Sequence, residues 1–339
     1  ETIAPYARVY VFYLAPGAPF LISSFVLNNQ MRFQGSAFYS MIGMVAGAVL
    51  NVALDPLFIF TLNMGVAGAA LATMISQFVS FLLLLAGTRR SSNLRIRLRN
   101  FTPKAYYYQN ILRGGLPSLF RQGLNSVATV CLNAMAGCIS AEGAFVAGAA
   151  ATNDAAIAAM SIVGRLMMLA VSATIGLGQG FQPICGFNYG AGQYGRVRKA
   201  FWFLIQVSFG LLLLVTAAAE AFAPGLITLF QASDPRVIEI GALALRLQAA
   251  TLPLMCFVFT ANMMLQTMGM AGKASLLAIA RQGLFFIPTV LVLPRLLGLL
   301  GLQLAQPVSD LCAFVLSVPL TLRVLADMKR QEAANVTKP

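Results

Sequence analysis

The sequence predicts an all-α protein that crosses a membrane several times. Of its 339 residues, 59% are hydrophobic and only 10% are charged, whereas soluble domains carry about 25% charged residues. Nine apolar spans can be drawn, each close to the ~20 residues that cross a bilayer. The net charge of +13 lies mainly in short loops between spans. That pattern sets membrane orientation and does not indicate nucleic-acid binding.

The spans follow one another with short connections. In chain order they cover residues 8–28, 37–60, 66–87, 114–137, 155–182, 199–222, 242–265, 274–296 and 300–323.

Three basic segments alternate with segments that contain acids. The 88–113 connection has seven cations and no acid, and cations recur at Arg196 and Arg198 and in the 324–339 tail. If the spans alternate, these segments share one face, which the positive-inside rule places in the cytoplasm.

An internal repeat divides the chain. Residues 25–47 resemble 257–283, and 65–77 resemble 298–310, with six spans between the copies. This predicts a parallel repeat of two six-span lobes related by an axis along the membrane normal. Nine of twelve helices are then present, three are expected before Glu1, and we expect no transport by this stretch alone.

The repeat gives a predicted domain organisation. Residues 1–87 form the second half of an N-terminal lobe, and 88–113 form a cytoplasmic basic loop between lobes. Residues 114–323 form a six-span C-terminal lobe, and 324–339 form a cytoplasmic tail.

The fourth span carries polar residues at spacings of three and four, which places them on one helix face. They are Ser118, Gln122, Asn125, Thr129 and Asn133. We predict the wall of a hydrated cavity; hydrogen bonding between helices is the alternative.

The fifth span combines polar and flexible residues on one face. Arg165, Met168 and Ser172 are predicted to line the same substrate cavity, because a flexible thioether suits a promiscuous pocket. Small residues and a proline follow, for which we predict helix bending, with close helix packing as the alternative. They are Gly176, Gly178, Gly180 and Pro183.

Two acids lie within spans. Asp310 lies about ten residues into the ninth span, and Asp55 lies late in the second, before Pro56. A charge near mid-bilayer costs at least about 2.5 kcal/mol, so it should face the protein interior with a partner. Burial disfavours the charged carboxylate and permits proton exchange. Asp310 is the first candidate for cation coupling and Asp55 the second; Asp55 could instead shape a helix end.

Enzyme function is not indicated. The chain has no histidine, which removes the commonest metal ligand and the usual near-neutral base. It shows no phosphate-binding loop, metal-ligand cluster or nucleophile–base pair, so we expect no enzyme activity, no cofactor and no metal site.

Several motifs resemble one transporter family. Residues 176–201, GLGQGFQPICGFNYGAGQYGRVRKAF, are similar to the long signature of the multidrug and toxic compound extrusion (MATE) family. Shorter resemblances occur in family order along the chain: NVALDPLFI (51–59), GVAGAALAT (65–73), RGGLPS (113–118), ARQGLFFIP (280–288) and QPVSD (306–310). The last two resemble the drug-exporting bacterial branch.

The resemblance implies a two-lobed helical bundle of MATE type. It implies a cation-coupled antiporter, driven by H+ or Na+, that exports amphipathic or cationic drugs by alternating access. A multi-pass protein of the bacterial inner membrane is expected, monomeric and without a nucleic-acid partner. Asn125 stands where some members carry Glu, and the region around Met255 is apolar where some carry an acid.

Two other functions remain open. A flippase for lipid-linked sugars of the same superfamily would hold pyrophosphate with cations in its cavity. Four arginines within or near spans fit that function: Arg121, Arg165, Arg246 and Arg281. A non-transporting membrane scaffold is the other alternative.

Overall fold

A computed structural model describes residues 4–91, 103–139, 154–230 and 234–336. All the regular elements in these ranges are helices. They are α1 (Ala4–Leu14), α2 (Ala18–Phe33), α3 (Ala37–Pro56), α4 (Gly65–Ser91), α5 (Ala105–Gly137), α6 (Asp154–Gly190), α7 (Tyr194–Thr228), α8 (Pro235–Thr267), α9 (Ala271–Ile279), α10 (Ile287–Leu297) and α11 (Leu299–Val336). A 3-10 turn, Ala15–Gly17, joins α1 to α2, and two π-helical segments, Leu57–Thr61 and Ala280–Phe286, follow α3 and α9.

Eight helical segments in the described part of the chain are long and apolar enough to cross a membrane. They contain all the predicted spans except the fourth, 114–137. That span lies in α5, which at 33 residues is long enough. Its polar residues lower the hydropathy of α5 below that of the other helices, so the predicted count of nine becomes eight by this criterion.

The chain divides into two compact units, Glu1–Pro103 and Lys104–Pro339. The division falls inside the predicted 88–113 loop. α5 begins within this loop, and α11 continues through most of the predicted 324–339 tail, so both segments are more helical than predicted.

The core of the C-terminal unit is organised around α8. This helix packs against α6, α7 and α11, and 72% of its most apolar stretch is buried. Its first half joins a cluster that contains Leu245 and Leu252, and its second half joins another that contains Phe257 and Met264. A helix that is apolar all round belongs in the interior of a bundle, which is where α8 lies.

Small residues bring α3 and α4 together in the N-terminal unit. A Cβ atom added at Gly47 would lie 2.7 Å from Cβ of Ser80, and one at Gly43 would lie 2.5 Å from the Leu84 side chain. Ser80 Oγ also donates a hydrogen bond to the Gly43 carbonyl at 2.9 Å. The four-residue spacing of small residues therefore allows the backbones to approach closely, as in other membrane helices.

The structure reproduces the predicted repeat at its turns. Gly35 and Gly269 have φ of 81° and 74°, and Gly65 and Gly298 have φ of 54° and 59°. Left-handed backbone of this kind favours glycine. The two glycines of each pair therefore occupy equivalent turns in the two copies. The offset is 234 residues for Gly35 and Gly269 and 233 residues for Gly65 and Gly298.

One side-chain hydrogen bond also occurs in both copies. Asn28 Nδ2 donates to the Ser40 carbonyl at 3.0 Å, and Asn262 Nδ2 donates to the Ala274 carbonyl at 2.7 Å. Both donor and acceptor are displaced by 234 residues. In each copy the asparagine ties the helix before the turn to the helix after it.

The two asparagines give a matched test of this tie. Asn262 is buried and Asn28 is half-buried, so Asn262→Ala should lower the unfolding free energy by about 1–3 kcal/mol because it strands a buried carbonyl. Asn28→Ala should cost less, because Asn28 is only half-buried and water can take the place of its amide more easily. Thermal unfolding in detergent measures both, and equal losses would contradict the assigned difference in burial.

Candidate functional site

A buried ion pair joins two helical segments of the C-terminal unit. Arg281 Nε lies 2.9 Å from Asp310 Oδ1, with 19% of the arginine side chain and 6% of the aspartate side chain exposed. Gln306 Nε2 donates to the same carboxylate oxygen at 2.8 Å. Asp310 therefore has the interior position and the partner that an acid within a membrane helix requires.

The π-helical segment Ala280–Phe286 positions Arg281 for this contact. Ser309 Oγ donates to the Arg281 carbonyl at 2.6 Å, which fixes the backbone of the π-helix to α11. The Arg281 guanidinium lies 5.0 Å from the centroid of the Phe259 ring, within the range of a cation–π interaction. π-helical turns are frequent at functional sites, and here the extra residue presents a cation to a buried acid.

Asp55 has a different environment in the N-terminal unit. Asn51 Nδ2 lies 3.2 Å from Asp55 Oδ1 and 3.4 Å from Thr73 Oγ1. Within the described part of the chain Asp55 has no ion-pair partner. The half-buried carboxylate thus accepts from the Asn51 amide, and no cation of the described residues pairs with it.

The predicted polar face of α5 lies mostly on the surface of the C-terminal unit. Gln122, Thr129 and Asn133 are exposed, although Thr129 Oγ1 donates to the carbonyl of Asn125 in its own helix. Because exposed amides cannot lie comfortably against lipid, this face needs water, substrate or other polar groups.

Two members of that polar face bond to neighbouring helical segments. Gln266 Nε2 of α8 donates to Ser118 Oγ at 2.9 Å, and Gln282 Nε2 of the π-helix donates to Asn125 Oδ1 at 3.2 Å. Gln282 is buried, and its Oε1 atom has no hydrogen-bond partner among the described residues. Interhelical hydrogen bonding therefore applies to Ser118 and Asn125, whereas the exposed Gln122, Thr129 and Asn133 keep the interpretation as a cavity wall.

The predicted cavity residues of α6 are also exposed. Met168 is 72% exposed, Arg165 is exposed, and Ser172 Oγ donates to the carbonyl of Met168 in the same helix. The structure thus places all three on the surface of the C-terminal unit.

The glycines of α6 lie in a continuous helix with Pro183 inside it. A Cβ atom added at Gly178 would lie 2.2 Å from Met263 Sδ, whereas Gly176 and Gly180 have open space around them. Packing against α8 thus accounts for the small residue at Gly178. It gives no reason for glycine at the other two positions.

Residues 126–291 match the MatE family model. The multidrug export protein MepA of Staphylococcus haemolyticus is 28% identical over 299 residues, which are 88% of this chain and 63% of that protein. MepA of Staphylococcus aureus strain NCTC 8325 is 29% identical over 334 residues, which are 96% of this chain and 70% of that protein.

Solved structures agree in fold. A crystal structure of MATE in complex with MaL6 has a TM-score of 0.83 at 28% identity, covering 96% of this chain and 70% of that one. An outward-facing MATE family transporter of the MOP superfamily has a TM-score of 0.84 at 28% identity, covering 95% and 70%. Residues 126–291 thus match a MATE-family domain, and the fold is similar to that of solved MATE transporters.

These matches confirm the predicted resemblance and the two-lobed MATE-type fold. MATE-family multidrug transporters are not enzymes. The residues that match the family model include Arg281 and also Gln282, which bonds to Asn125. Asp310 lies beyond that region. The chain spans about 63–70% of the length of the two MepA relatives.

Sequence reasoning missed several hydrogen-bond and ring partners in both units. The missed residues are Asn51, Thr73, Phe259, Gln266, Gln282 and Gln306. Two of them had a detectable signal, since Asn51 precedes Asp55 by four residues and Gln306 precedes Asp310 by four. That spacing places each amide beside its carboxylate on one helix face.

The Arg281–Asp310 pair gives a double-mutant prediction. Arg281→Gln or Asp310→Asn alone should destabilise the protein by about 3–5 kcal/mol, because each leaves a buried charge without its partner. The variant with both changes should lose clearly less than the sum of the two. Thermal unfolding in detergent measures the cycle, and additive losses would show that the pair is not coupled.

Proposed function

We propose that this chain belongs to a cation-coupled exporter of amphipathic or cationic drugs that works by alternating access. The observation that carries the proposal is the exposed polar face of α5 in a MATE-type membrane protein. The exposed amides of this face need polar surroundings, and a cavity that admits water and substrate supplies them. The MepA relatives are multidrug export proteins, and the proposed activity belongs to the whole protein.

The setting of the proposed exporter is the bacterial inner membrane. Its multi-pass helices and bacterial relatives support this location. The basic end of α7 and the end of α11 meet at Arg198 and Glu332, 3.3 Å apart, so two of the three basic segments share one side. The positive-inside rule makes that side cytoplasmic. We further propose that the protein acts as a monomer.

The proposed substrate surface combines α5 and α6. Gln122, Asn125 and Asn133 offer amide groups, and the buried Gln282 offers an acceptor oxygen without a partner in the described structure. Met168 adds a flexible apolar contact. This mixture of adaptable polar and apolar groups suits substrates that share amphipathic character rather than one shape.

For cation coupling the geometry favours Asp55 over Asp310. Arg281 already neutralises Asp310, so a coupling cation would have to displace a bound guanidinium at 2.9 Å. Asp55 accepts from the Asn51 amide and has no ion-pair partner among the described residues. The carboxylate oxygens themselves suit a hard cation, and a carboxylate can also take a proton. We therefore propose Asp55 as the carrier of H+ or Na+.

The flippase alternative depends on free cations in the cavity. Arg281 is paired with Asp310. Arg246 Nε donates to the Glu220 carbonyl at 3.3 Å, and the Glu220 carboxylate lies 3.9 Å from the same nitrogen. Two of the four arginines are thus occupied, which leaves Arg121 and Arg165 for pyrophosphate. The drug exporter is the better-supported proposal.

The coupling proposal is tested by ethidium efflux in cells that express the native gene product. Asp55→Asn should abolish efflux that depends on a cation gradient, because the amide cannot exchange a proton or neutralise a cation. Arg281→Gln combined with Asp310→Asn is the control and should retain efflux. If the control variant lost efflux while Asp55→Asn kept normal efflux, the coupling role would belong to Asp310 instead.

The glycines of α6 test the bending proposal. Gly180→Ala meets no neighbouring atom, so it should preserve or raise thermal stability by up to about 1 kcal/mol while slowing efflux if the helix bends there. Gly178→Ala is the packing control and should lower stability by about 1–3 kcal/mol, since Met263 must move. Normal efflux in Gly180→Ala would show that bending at this position is not needed.

A further inference from the structure

A groove of about 350 Å³ lies where α7 begins and α11 ends. Its lining has a charged part, with Arg198, Lys199 and Glu332, and an aromatic part, with Trp202 and Phe203. None of these residues belongs to the polar face of α5 or to the candidate coupling sites at Asp55 and Asp310. The groove therefore needs an explanation of its own.

The charged part of the groove retains a free cation. Arg198 Nη1 lies 3.3 Å from Glu332 Oε2, which occupies one arginine with one acid. Lys199 is exposed and has no ion-pair partner within the described part of the chain. Two cations against one acid leave the groove with a net positive charge, so it is suited to an anion.

Gly195 allows this arrangement to form. A Cβ atom at this position would lie 2.1 Å from Glu332 Oε1. The absence of a side chain thus lets the end of α11 approach the first turn of α7. This close approach holds Arg198 beside Glu332 and leaves the Lys199 side chain exposed.

The aromatic part lies about one helical turn further along α7, which is roughly 5 Å toward the apolar segment. Trp202 is 43% exposed and Phe203 is 67% exposed. Tryptophan is enriched where the bilayer meets water, so an exposed tryptophan one turn beyond two cations fits that boundary. The groove thus offers a cation to a headgroup and a ring surface to a chain below it.

We propose that this groove binds an anionic phospholipid, with the phosphate on Lys199 and Arg198 and the acyl chains along Trp202 and Phe203. Basic pockets at the ends of membrane helices bind such headgroups. A free phosphate ion would use only the cations. The aromatic half of the groove therefore favours a lipid.

Trp202 supplies the measurement, because it is the single tryptophan of the 339 residues. The chain is placed in phosphatidylcholine nanodiscs, and phosphatidylglycerol with brominated acyl chains is titrated in. We expect Trp202 fluorescence to be quenched at a lower mole fraction of this lipid than of brominated phosphatidylcholine.

Two substitutions should shift the titration in opposite directions. Lys199→Gln should weaken selective quenching about fivefold, since one cation near the surface is lost. Glu332→Gln should strengthen it by a similar factor, because Arg198 is released. Arg236→Gln is the matched control: this exposed arginine starts α8, at the opposite end of the helix from the part that packs on the beginning of α7, and it should change nothing.

Three outcomes would overturn the proposal. Equal quenching by the two brominated lipids would show no preference for the anionic headgroup. A shift in Lys199→Gln no larger than in Arg236→Gln would place the lipid elsewhere. Relief of quenching by millimolar inorganic phosphate would show that the groove binds free phosphate.

Discussion

The fold depends on the rule that backbone polar groups in hydrocarbon must be satisfied within the protein. Helices meet it, and the described elements are helical even where sequence would break them. α6 continues through Pro183, and α11 continues through Pro307 and Pro319. Two of the departures from α-helix are π-helical segments, which keep the backbone bonded while shifting side chains around the axis. One such segment carries Arg281, so the same rule positions the buried ion pair.

The two copies of the repeat solve one packing problem in two ways. With the repeat offsets, Gly47 corresponds to Arg281 and Ser76 corresponds to Ser309. In the first copy the Ser76 carbonyl lies 3.2 Å from where a Gly47 Cβ atom would be, so the helices touch through small residues. In the second copy Ser309 Oγ donates to the Arg281 carbonyl, and the larger side chain extends to its acid. The second copy therefore has a charged pair where the first copy has contact between small residues.

This difference shows how far sequence reasoning reaches. The glycines were sufficient to find the repeat, because a left-handed turn at Gly269 or Gly298 restricts the residue type. The cost of a buried charge was sufficient to predict a partner for Asp310. That cost does not indicate which of the four arginines is the partner. The pairing depends on the π-helical segment Ala280–Phe286, and the sequence of this segment carries no local signal for a π-helix. Spacing also put Ser118 and Asn125 on one helix face, but only packing showed which neighbours bond to them.

Helix α8 connects the separate parts of the candidate site in the C-terminal unit. Phe259 lies against Arg281, Met263 fills the space beside Gly178, and Gln266 bonds to Ser118. Their spacings of four and three residues place all three side chains on one face of this buried helix. A rotation of α8 about its axis would move the ion pair's aromatic neighbour, the α6 contact and the α5 hydrogen bond together. The polar surface of α5 and the buried pair are thus parts of one packed unit, although no residue belongs to both.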